Sequence, residues 1–158
     1  MTDERKARGF GTYREATAND LPVLAALDRD VFGHEAYPPF FFRQALDLWG
    51  PTFLVAETEA RPVAGYALSA PSACDGEACI LSMATHPSCR GQGLATGLLG
   101  ALLDRLDAAG TEVVWLTVHP QNAGAVHLYR GAGFVAVAEE AAYFGPGEPR
   151  VRMERRLG

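Results

Sequence analysis

The clearest chemical feature of this chain is a pair of glycines, Gly91 and Gly93, placed between a strand-like apolar segment and a leucine-rich segment of helical spacing. They belong to the sequence RGQGLA, which runs from Arg90 to Ala95. Backbone N–H groups in the first turn of a helix lack an acceptor within that helix and point outward. Glycines remove the side chains that would keep an anion away from these donors, and the helix dipole adds favourable charge. The loop therefore indicates either a site for a phosphate-like anion or simply a tight connection.

Two nucleotide-binding patterns use similar glycines and differ from this loop. A nucleoside-triphosphatase loop requires Lys and then Ser or Thr after its last glycine, whereas Leu94 and Ala95 follow here. A dinucleotide-binding fold usually starts with its first strand and needs an acidic residue at the end of the next one. Here the loop is mid-chain, and the next predicted strand ends in Thr117, Val118 and His119. The first interpretation fails and the second is weak.

A helix is predicted directly after the loop, and it stops before Gly110, which fits the left-handed residue that closes a helix. The leucines that recur at helical spacing are Leu94, Leu98, Leu99, Leu102, Leu103 and Leu106. Strands are predicted before the loop and after the helix, at 78–85 and 113–118. A second helix follows at 123–132, with Asn122 as its cap.

The rest of the chain completes a mixed α/β pattern. In order, we expect an extended segment at 10–17, a helix capped by Asn19 that stops near Gly33, a short helix ending at Trp49, a hairpin of 53–58 with 63–69, and late strands at 134–140 and 150–155. Residues 1–9 are expected to be disordered, and 10–158 to form one domain, since 158 residues is the ordinary size of one domain.

Composition narrows the classes of partner. Hydrophobic residues make up 48% of the chain and charged residues 21%, as in globular proteins. The formal net charge is −5 and no run of basic residues is present, so a nucleic-acid partner is not expected. No segment approaches the length that spans a bilayer, so we expect neither a membrane anchor nor export.

Metal chemistry and disulfides are not expected either. The three cysteines, Cys74, Cys79 and Cys89, lack the paired spacing of a zinc or dithiol site and predict reduced thiols in a cytoplasmic protein. The histidines are isolated and show no ligand spacing; they are His34, His86, His119 and His127.

Two motifs together resemble a known family. The first is THPSCRGQGLATGLL, in which Arg90, Gly93 and Ala95 have the required spacing. The second is WLTVHPQNAGAVHLYRGAGF, in which six residues match in register: Asn122, Ala125, Leu128, Tyr129, Gly133 and Phe134. The pair resembles the core motifs of the GCN5-related N-acetyltransferase (GNAT) superfamily, in particular its bacterial ribosomal-protein alanine N-acetyltransferase branch. The match covers roughly 78–134.

The resemblance implies a fold, a cosubstrate and the residues that hold it. The fold would be a mixed, mostly antiparallel α/β sheet of six or seven strands with a central, splayed parallel pair, flanked by about four helices. The cosubstrate would be acetyl-coenzyme A, with no metal. Its pantetheine arm would lie along Met83, Ala84 and Thr85 and contact Asn122, and its pyrophosphate would be held by Arg90, Gly91, Gln92, Gly93, Leu94, Ala95 and Thr96.

The implied reaction is direct attack of an amine on the thioester, with Tyr129 protonating the departing thiolate. Tyr129 would thus both contact the cofactor and act as a catalytic acid, although packing in the core is its alternative role. Relatives often carry a glutamate general base at the position of Thr117 or Cys79, and both carboxylates are missing here. The remaining candidates are Glu77, His119, Glu35 or a chain of water molecules.

The missing base favours an acceptor that deprotonates easily, such as a peptide N-terminus or another low-pKa amine. The acceptor pocket is expected from two irregular stretches, 34–42 and 141–150, with Phe32, Glu35, Tyr37 and Tyr143 as substrate-binding residues. A non-catalytic coenzyme A or acyl-coenzyme A binding module is the alternative function, and a dinucleotide-binding protein is a third. Either a monomer or a homodimer is compatible with the sequence.

Overall fold

The computed structural model of the protein describes residues 11–158. The predicted disorder of 1–9 and the predicted strand residue Phe10 lie outside the described residues. The chain divides into two compact units, the first comprising the chain up to Ser69 together with 82–105, and the second comprising 70–81 and 106–158. The assignment of 10–158 to one domain stays a prediction.

Seven strands and four α-helices lie within residues 11–158. In chain order they are β1 (Thr12–Glu15), α1 (Leu21–Phe32), α2 (Pro39–Trp49), β2 (Phe53–Glu57), β3 (Gly65–Pro71), β4 (Glu77–Thr85), α3 (Leu94–Ala108), β5 (Val113–Val118), α4 (Ala123–Gly131), β6 (Val135–Glu140) and β7 (Arg150–Arg156). Short 3-10 turns occupy 18–20, 33–35, 50–52 and 87–89. The predicted elements are therefore all present, with boundaries shifted by one to two residues.

The strands form one mixed sheet in the order β1-β2-β3-β4-β5-β7-β6, in which β4 and β5 are the parallel pair. The register of this pair covers three residue pairs, from Glu77 opposite Val113 to Cys79 opposite Trp115, although both strands continue further. The β1-β2, β2-β3, β5-β7 and β6-β7 pairs are antiparallel. The fold predicted from the resemblance, including the parallel pair and the four helices, is confirmed.

The first unit is built on a buried aromatic cluster. Phe42 of α2, Phe53 of β2 and Tyr66 of β3 are all fully buried, and their ring centroids lie 5.7–6.4 Å apart. Aromatic rings at these separations add to the stabilisation that burial itself provides. The cluster fixes α2 against the strands of this unit.

The start of α1 differs from the prediction. Asn19 was expected to be the cap, but the chain first forms the 3-10 turn at 18–20, and the N-cap position of α1 is Asp20, whose side chain makes no capping hydrogen bond to this helix. The Asp20 carboxylate accepts the Thr17 N–H at 2.8 Å and receives two hydrogen bonds from Arg14, at 2.7 and 2.9 Å. The Asp20 carboxylate is therefore engaged by Arg14 and by the capping box of the 3-10 turn, whereas Asn19 is exposed.

The predicted leucine stripe of α3 is confirmed, since every one of its six leucines is at most 4% exposed. The helix ends as expected, with Gly110 at φ +85°, a conformation that favours glycine.

The second unit packs alternate residues of β5 and β7 into its core. Val114, Leu116 and Met153 are at most 1% exposed, whereas the residues between them are half-buried. Such alternation is the pattern of strands with one face packed on a core. Strand β6 is exposed along its whole length and carries an irregularity between Ala136 and Ala138.

Candidate functional site

The predicted phosphate loop is a tight turn between β4 and α3. A 3-10 turn at 87–89 leads into residues 90–93, and α3 begins at Leu94. Gly91 and Gly93 have φ values of +78° and +76°, which side-chain-bearing residues rarely adopt. A Cβ atom built on either glycine would meet nothing within 4 Å, so both face open space. Glycine is needed here for backbone conformation and for an unobstructed approach to the chain.

The amides of this turn are available to a ligand. Within residues 11–158, the six consecutive N–H groups from Gly91 to Thr96 have neither a backbone nor a side-chain acceptor, and the first helical bond of α3 runs from the Gly97 N–H to the Gly93 carbonyl at 3.1 Å. An open pocket of about 220 Å³ lies in front of them, lined by Thr85, Cys89, Arg90, Gly91, Gly93, Leu94, Ala95 and Thr96. The structure thus brings together the predicted loop residues with Thr85, while Gln92 is outside the lining and Cys89 is an addition.

Strand β1 supports the beginning of α3. The Tyr13 hydroxyl donates to the Leu94 carbonyl at 3.4 Å, and a Cβ atom on Gly97 would lie only 2.6 Å from Cζ of Tyr13. At the other end of the helix, Arg105 forms an ion pair with Glu15 at 2.9 Å. Strand β1, which contributes no residue to the loop, therefore supports the helix that follows the loop.

The predicted pantetheine segment is the end of β4. Ala84 is buried, whereas Met83 and Thr85 are half-buried. Strand β3 passes closely here, because a Cβ atom on Gly65 would lie 2.8 Å from the Ala84 carbonyl oxygen, and the His86 N–H donates to the Ala64 carbonyl at 2.7 Å. A residue larger than glycine at this point of β3 would displace the segment.

Asn122 and Tyr129 belong to the second unit. The Asn122 side-chain oxygen accepts the Ala125 N–H at 3.2 Å and so caps α4, as its alternative role predicted. Tyr129 is 9% exposed and packs edge-on against Phe134, with ring centroids 5.8 Å apart. Burial raises the pKa of Tyr129 to about 12, so its hydroxyl stays protonated at neutral pH. Among residues 11–158, no group forms a hydrogen bond with this hydroxyl.

The two positions without carboxylates lie on strands of the sheet. Burial raises the pKa of the Cys79 thiol to about 11, although Arg152 partly opposes this, so a thiolate base is not available at neutral pH. Thr117, on β5, has a hydroxyl that is not basic. The guanidinium group of Arg152 lies over the Trp115 ring, 4.1 Å from its centroid, and forms an ion pair with Glu154 at 3.0 Å.

The other candidate bases are Glu77, His119 and Glu35. The Glu77 carboxylate lies 3.9 Å from Arg152, and the His119 ring accepts the Gln121 N–H at 3.1 Å through Nδ1. Glu35 is exposed in the 3-10 turn at 33–35. Among the described residues, no group of three or more His, Cys, Asp and Glu side chains is arranged to hold a metal ion.

The predicted acceptor residues are divided between the units. In the first, Phe32 ends α1 and Tyr37 stacks on Phe41 with ring centroids 4.1 Å apart. In the second, Tyr143 is 37% exposed and meets Phe144 edge-on at 4.7 Å. Each of the two aromatic stretches therefore contains a contact between its own rings.

A buried polar group in the first unit was not predicted. Asp28 is fully buried on α1 and accepts hydrogen bonds from the Tyr66 hydroxyl at 2.5 Å and from the Tyr37 N–H at 2.8 Å. Its position four residues after Leu24 put it on the apolar face of the helix, and a charged residue in that register was the signal that sequence reasoning overlooked.

None of the described helices could cross a membrane.

Comparison with known proteins adds the family. A family model described as acetyltransferase (GNAT) family matches residues 19–134. The [Ribosomal protein bS18]-alanine N-acetyltransferase of Escherichia coli K12 is 40% identical over 58 residues, which are 37% of this chain and 39% of that protein's length. An N-alpha-acetyltransferase of Sulfolobus acidocaldarius is 29% identical over 99% of both chains.

A solved structure supports the same assignment at the level of the fold. The phosphinothricin acetyltransferase of Sinorhizobium meliloti, crystallised in complex with acetyl-coenzyme A, has a TM-score of 0.80 at 22% identity, covering 94% of this chain and 89% of that one. The family model, the two motifs and the shared fold agree, and the chain belongs to the GNAT acetyltransferase family.

Proposed function

We propose that the protein transfers an acetyl group from acetyl-coenzyme A to a primary amine, with a peptide N-terminus as the favoured acceptor. The observation that carries the proposal is the row of six amides, Gly91 to Thr96, that lacks acceptors within residues 11–158, in a chain of the GNAT family; five of these six residues line an open pocket. Such a row at a helix N-terminus is suited to a diphosphate.

The residues present fit the cosubstrate. The amides of 91–96 would hold the pyrophosphate, with Arg90 at the rim, and the backbone of Met83 to Thr85 would pair with the pantetheine arm. Asn122 would contact the pantetheine through its side-chain NH2 group, while its oxygen caps α4. When bound, acetyl-coenzyme A supplies the activated acyl thioester.

Tyr129 is the proposed acid. Its hydroxyl is protonated, and no described group competes for it by hydrogen bonding. It would donate its proton to the leaving thiolate as the amine nitrogen forms the new amide bond. No covalent intermediate with the protein is required.

The absence of carboxylates at Thr117 and Cys79 supports a low-pKa acceptor. Deprotonation at pH 7 costs about 4.6 kcal/mol for a lysine-like amine of pKa 10.4, but only about 1 to 1.4 kcal/mol for an α-amine of pKa 7.7 to 8.0. The names of the two relatives, which specify alanine and α-acetylation, point the same way. Monomeric or homodimeric assembly and a cytoplasmic location stay predictions.

The test is a pair of measurements on the purified protein. Titration calorimetry with acetyl-coenzyme A should detect binding, and a thiol-release assay should show turnover on a peptide with a free N-terminus but little on the same peptide with a blocked N-terminus and an internal lysine. A preference for the lysine side chain would overturn the acceptor assignment. No heat of binding by the folded protein would overturn the cosubstrate assignment.

A non-catalytic coenzyme A binding module is the second candidate, because no dedicated carboxylate base occupies either usual position. Tyr129→Phe separates the two functions. In an enzyme it lowers turnover while leaving acetyl-coenzyme A affinity unchanged. In a binding module the wild type itself releases no thiol with any amine tested.

A further inference from the structure

Three side chains of the first unit form a continuous hydrogen-bonded line. The Tyr66 hydroxyl lies 2.5 Å from Oδ1 of Asp28 and 2.6 Å from Oγ of Ser82. Asp28 and Tyr66 are fully buried, whereas Ser82 is half-buried. The line therefore leads from a carboxylate in the core to a residue that is partly exposed.

The direction of each hydrogen bond follows from the end of the line. The Tyr66 hydroxyl donates to the Asp28 carboxyl oxygen, which accepts. The Tyr66 oxygen is then free to accept, and Ser82 donates to it. This leaves the lone pairs of Ser82 Oγ as the acceptor at the accessible end.

Tyr66 is suited to relaying a proton and not to remaining ionised as a phenolate. Burial, together with the neighbouring carboxylate of Asp28, raises the pKa of Tyr66 far above its usual value, and Tyr37 acts in the same direction. Asp28 and Tyr37 are the titratable groups that act on Tyr66 within the described residues. No cation is present in this set to stabilise a phenolate, so Tyr66 remains a neutral hydroxyl.

Ser82 also lies on the strand that leads into the proposed site. It directly precedes Met83 to Thr85 on β4, the segment assigned to the pantetheine arm, and Thr85 lines the pocket at the loop. The two positions where a carboxylate base was expected, Cys79 and Thr117, have none. The reaction therefore requires another route for the proton that the amine loses.

We propose that Ser82, Tyr66 and Asp28 form a proton relay that takes the place of the general base. The inference rests on the proposed function. As the nitrogen bonds to the acyl carbon, its proton passes to Ser82 Oγ, the Ser82 proton passes to Tyr66, and the Tyr66 proton passes to Asp28. Tyr129 protonates the departing sulfur at the other end of the reaction. After product release, Asp28 returns one proton to solvent along the same line and Tyr129 takes one up, so the protons balance.

The test uses variants along the line and a matched control. Tyr66→Phe and Ser82→Ala each remove one hydroxyl, whereas Ser82→Thr keeps it. Ser69→Ala is the control, because Ser69 is a fully buried serine of β3 whose hydroxyl has no hydrogen-bond partner among residues 11–158. We expect kcat to fall about 100-fold in Tyr66→Phe, the lower end of what general base catalysis contributes, and to be nearly unchanged in Ser69→Ala. Ser82→Thr should retain more of the rate than Ser82→Ala, because it keeps the hydroxyl.

Two readouts separate a relay from a merely structural role. The wild type should show a curved dependence of kcat on the deuterium fraction of the solvent, since several protons move together, and Ser82→Ala should show a linear one. The loss in both variants should also shrink as the pH rises, because hydroxide then removes the proton. The relay would be overturned if Ser82→Ala and folded Tyr66→Phe both kept the full kcat and the curved dependence of kcat on the deuterium fraction. Acetyl transfer itself would then remain intact.

A third readout needs neither cosubstrate nor turnover. The Tyr66 hydroxyl in its 2.5 Å bond to a carboxylate should give a slowly exchanging, far-downfield proton resonance in the free protein. The resonance should be absent in Tyr66→Phe and present in Ser69→Ala. If the free wild-type protein lacks it at low temperature, the relay does not exist as described. If no amine is acetylated by a protein that shows it, the proposed function fails instead.

Discussion

The steric contact between Gly97 and Tyr13 predicts a measurable cost for adding one methyl group. Gly97 lies in the first turns of α3, and a Cβ atom there would be 2.6 Å from Cζ and 3.0 Å from Cε2 of Tyr13. Alanine in place of a helical glycine stabilises a helix by about 0.5–1 kcal/mol, whereas overpacking costs about 1–3 kcal/mol. Gly97→Ala should therefore reduce the free energy of unfolding, even though helix propensity improves.

Gly100→Ala is the matched control, since it adds the same methyl group to the same helix where nothing lies within 4 Å. It should stabilise the protein by about 0.5–1 kcal/mol. The difference between the two variants removes the propensity contribution and leaves the steric cost, about 1–3 kcal/mol, to be measured by urea unfolding.

The same variant should weaken cosubstrate binding. Displacing Tyr13 disturbs its hydrogen bond to the Leu94 carbonyl, at the turn whose amides face the pocket. Titration calorimetry should show weaker acetyl-coenzyme A binding in Gly97→Ala but not in Gly100→Ala, and replacing Tyr13 by leucine in the Gly97→Ala background should restore part of the stability. Equal unfolding free energies for the two glycine variants would refute the reasoning.

Three further outcomes are expected. Gly93→Ala places a side chain at φ +76°, which costs roughly 1–2 kcal/mol, and puts a methyl group into the pocket, so calorimetry should show at least about tenfold weaker acetyl-coenzyme A binding. Because burial raises the pKa of Tyr129 to about 12, kcat should not decline between pH 7 and 10 through loss of this acid. A decline that persists in Tyr129→Phe has another origin. A decline that is absent from Tyr129→Phe would contradict the role of Tyr129 as an acid that stays protonated over this range. The hydrogen bond from Arg14 holds the pKa of Asp20 below its usual value, so the pair stabilises the fold above about pH 4 and loses this as the pH falls. Asp20→Asn should lower the unfolding free energy by about 2 kcal/mol at pH 7, a difference that should shrink in acid; a difference independent of pH would contradict this.

The glycine turn before α3 could be predicted because its signals are local. Two glycines and a following leucine stripe specify a turn and a helix within a few residues, and the structure has both. The cap of α4 by Asn122 was likewise predictable, since its acceptor function depends on a residue three positions away. The prediction that this turn binds an anion needed the second motif as well, because glycine-rich turns are common and most are simple connections.

The remaining features depend on contacts between residues far apart in the chain. Asp28, Tyr66 and Ser82 are separated by 38 and 16 positions, and no local pattern joins them. Asn19 and Asp20 are both good caps by residue type, but the chain forms a 3-10 turn before α1, and the Asp20 carboxylate in that turn is bound by Arg14 from the preceding strand. The contact that requires glycine at position 97 likewise comes from β1.

The six amides without acceptors at the start of α3 also affect the protein when nothing is bound. A helix end without partners for its donors frays more readily than a capped one, so hydrogen exchange and proteolysis should be fastest there in the free protein. A bound diphosphate would act as the missing cap and would raise the melting temperature in proportion to the logarithm of its concentration. The stability of this helix in the cell would then follow the supply of the metabolite that it binds.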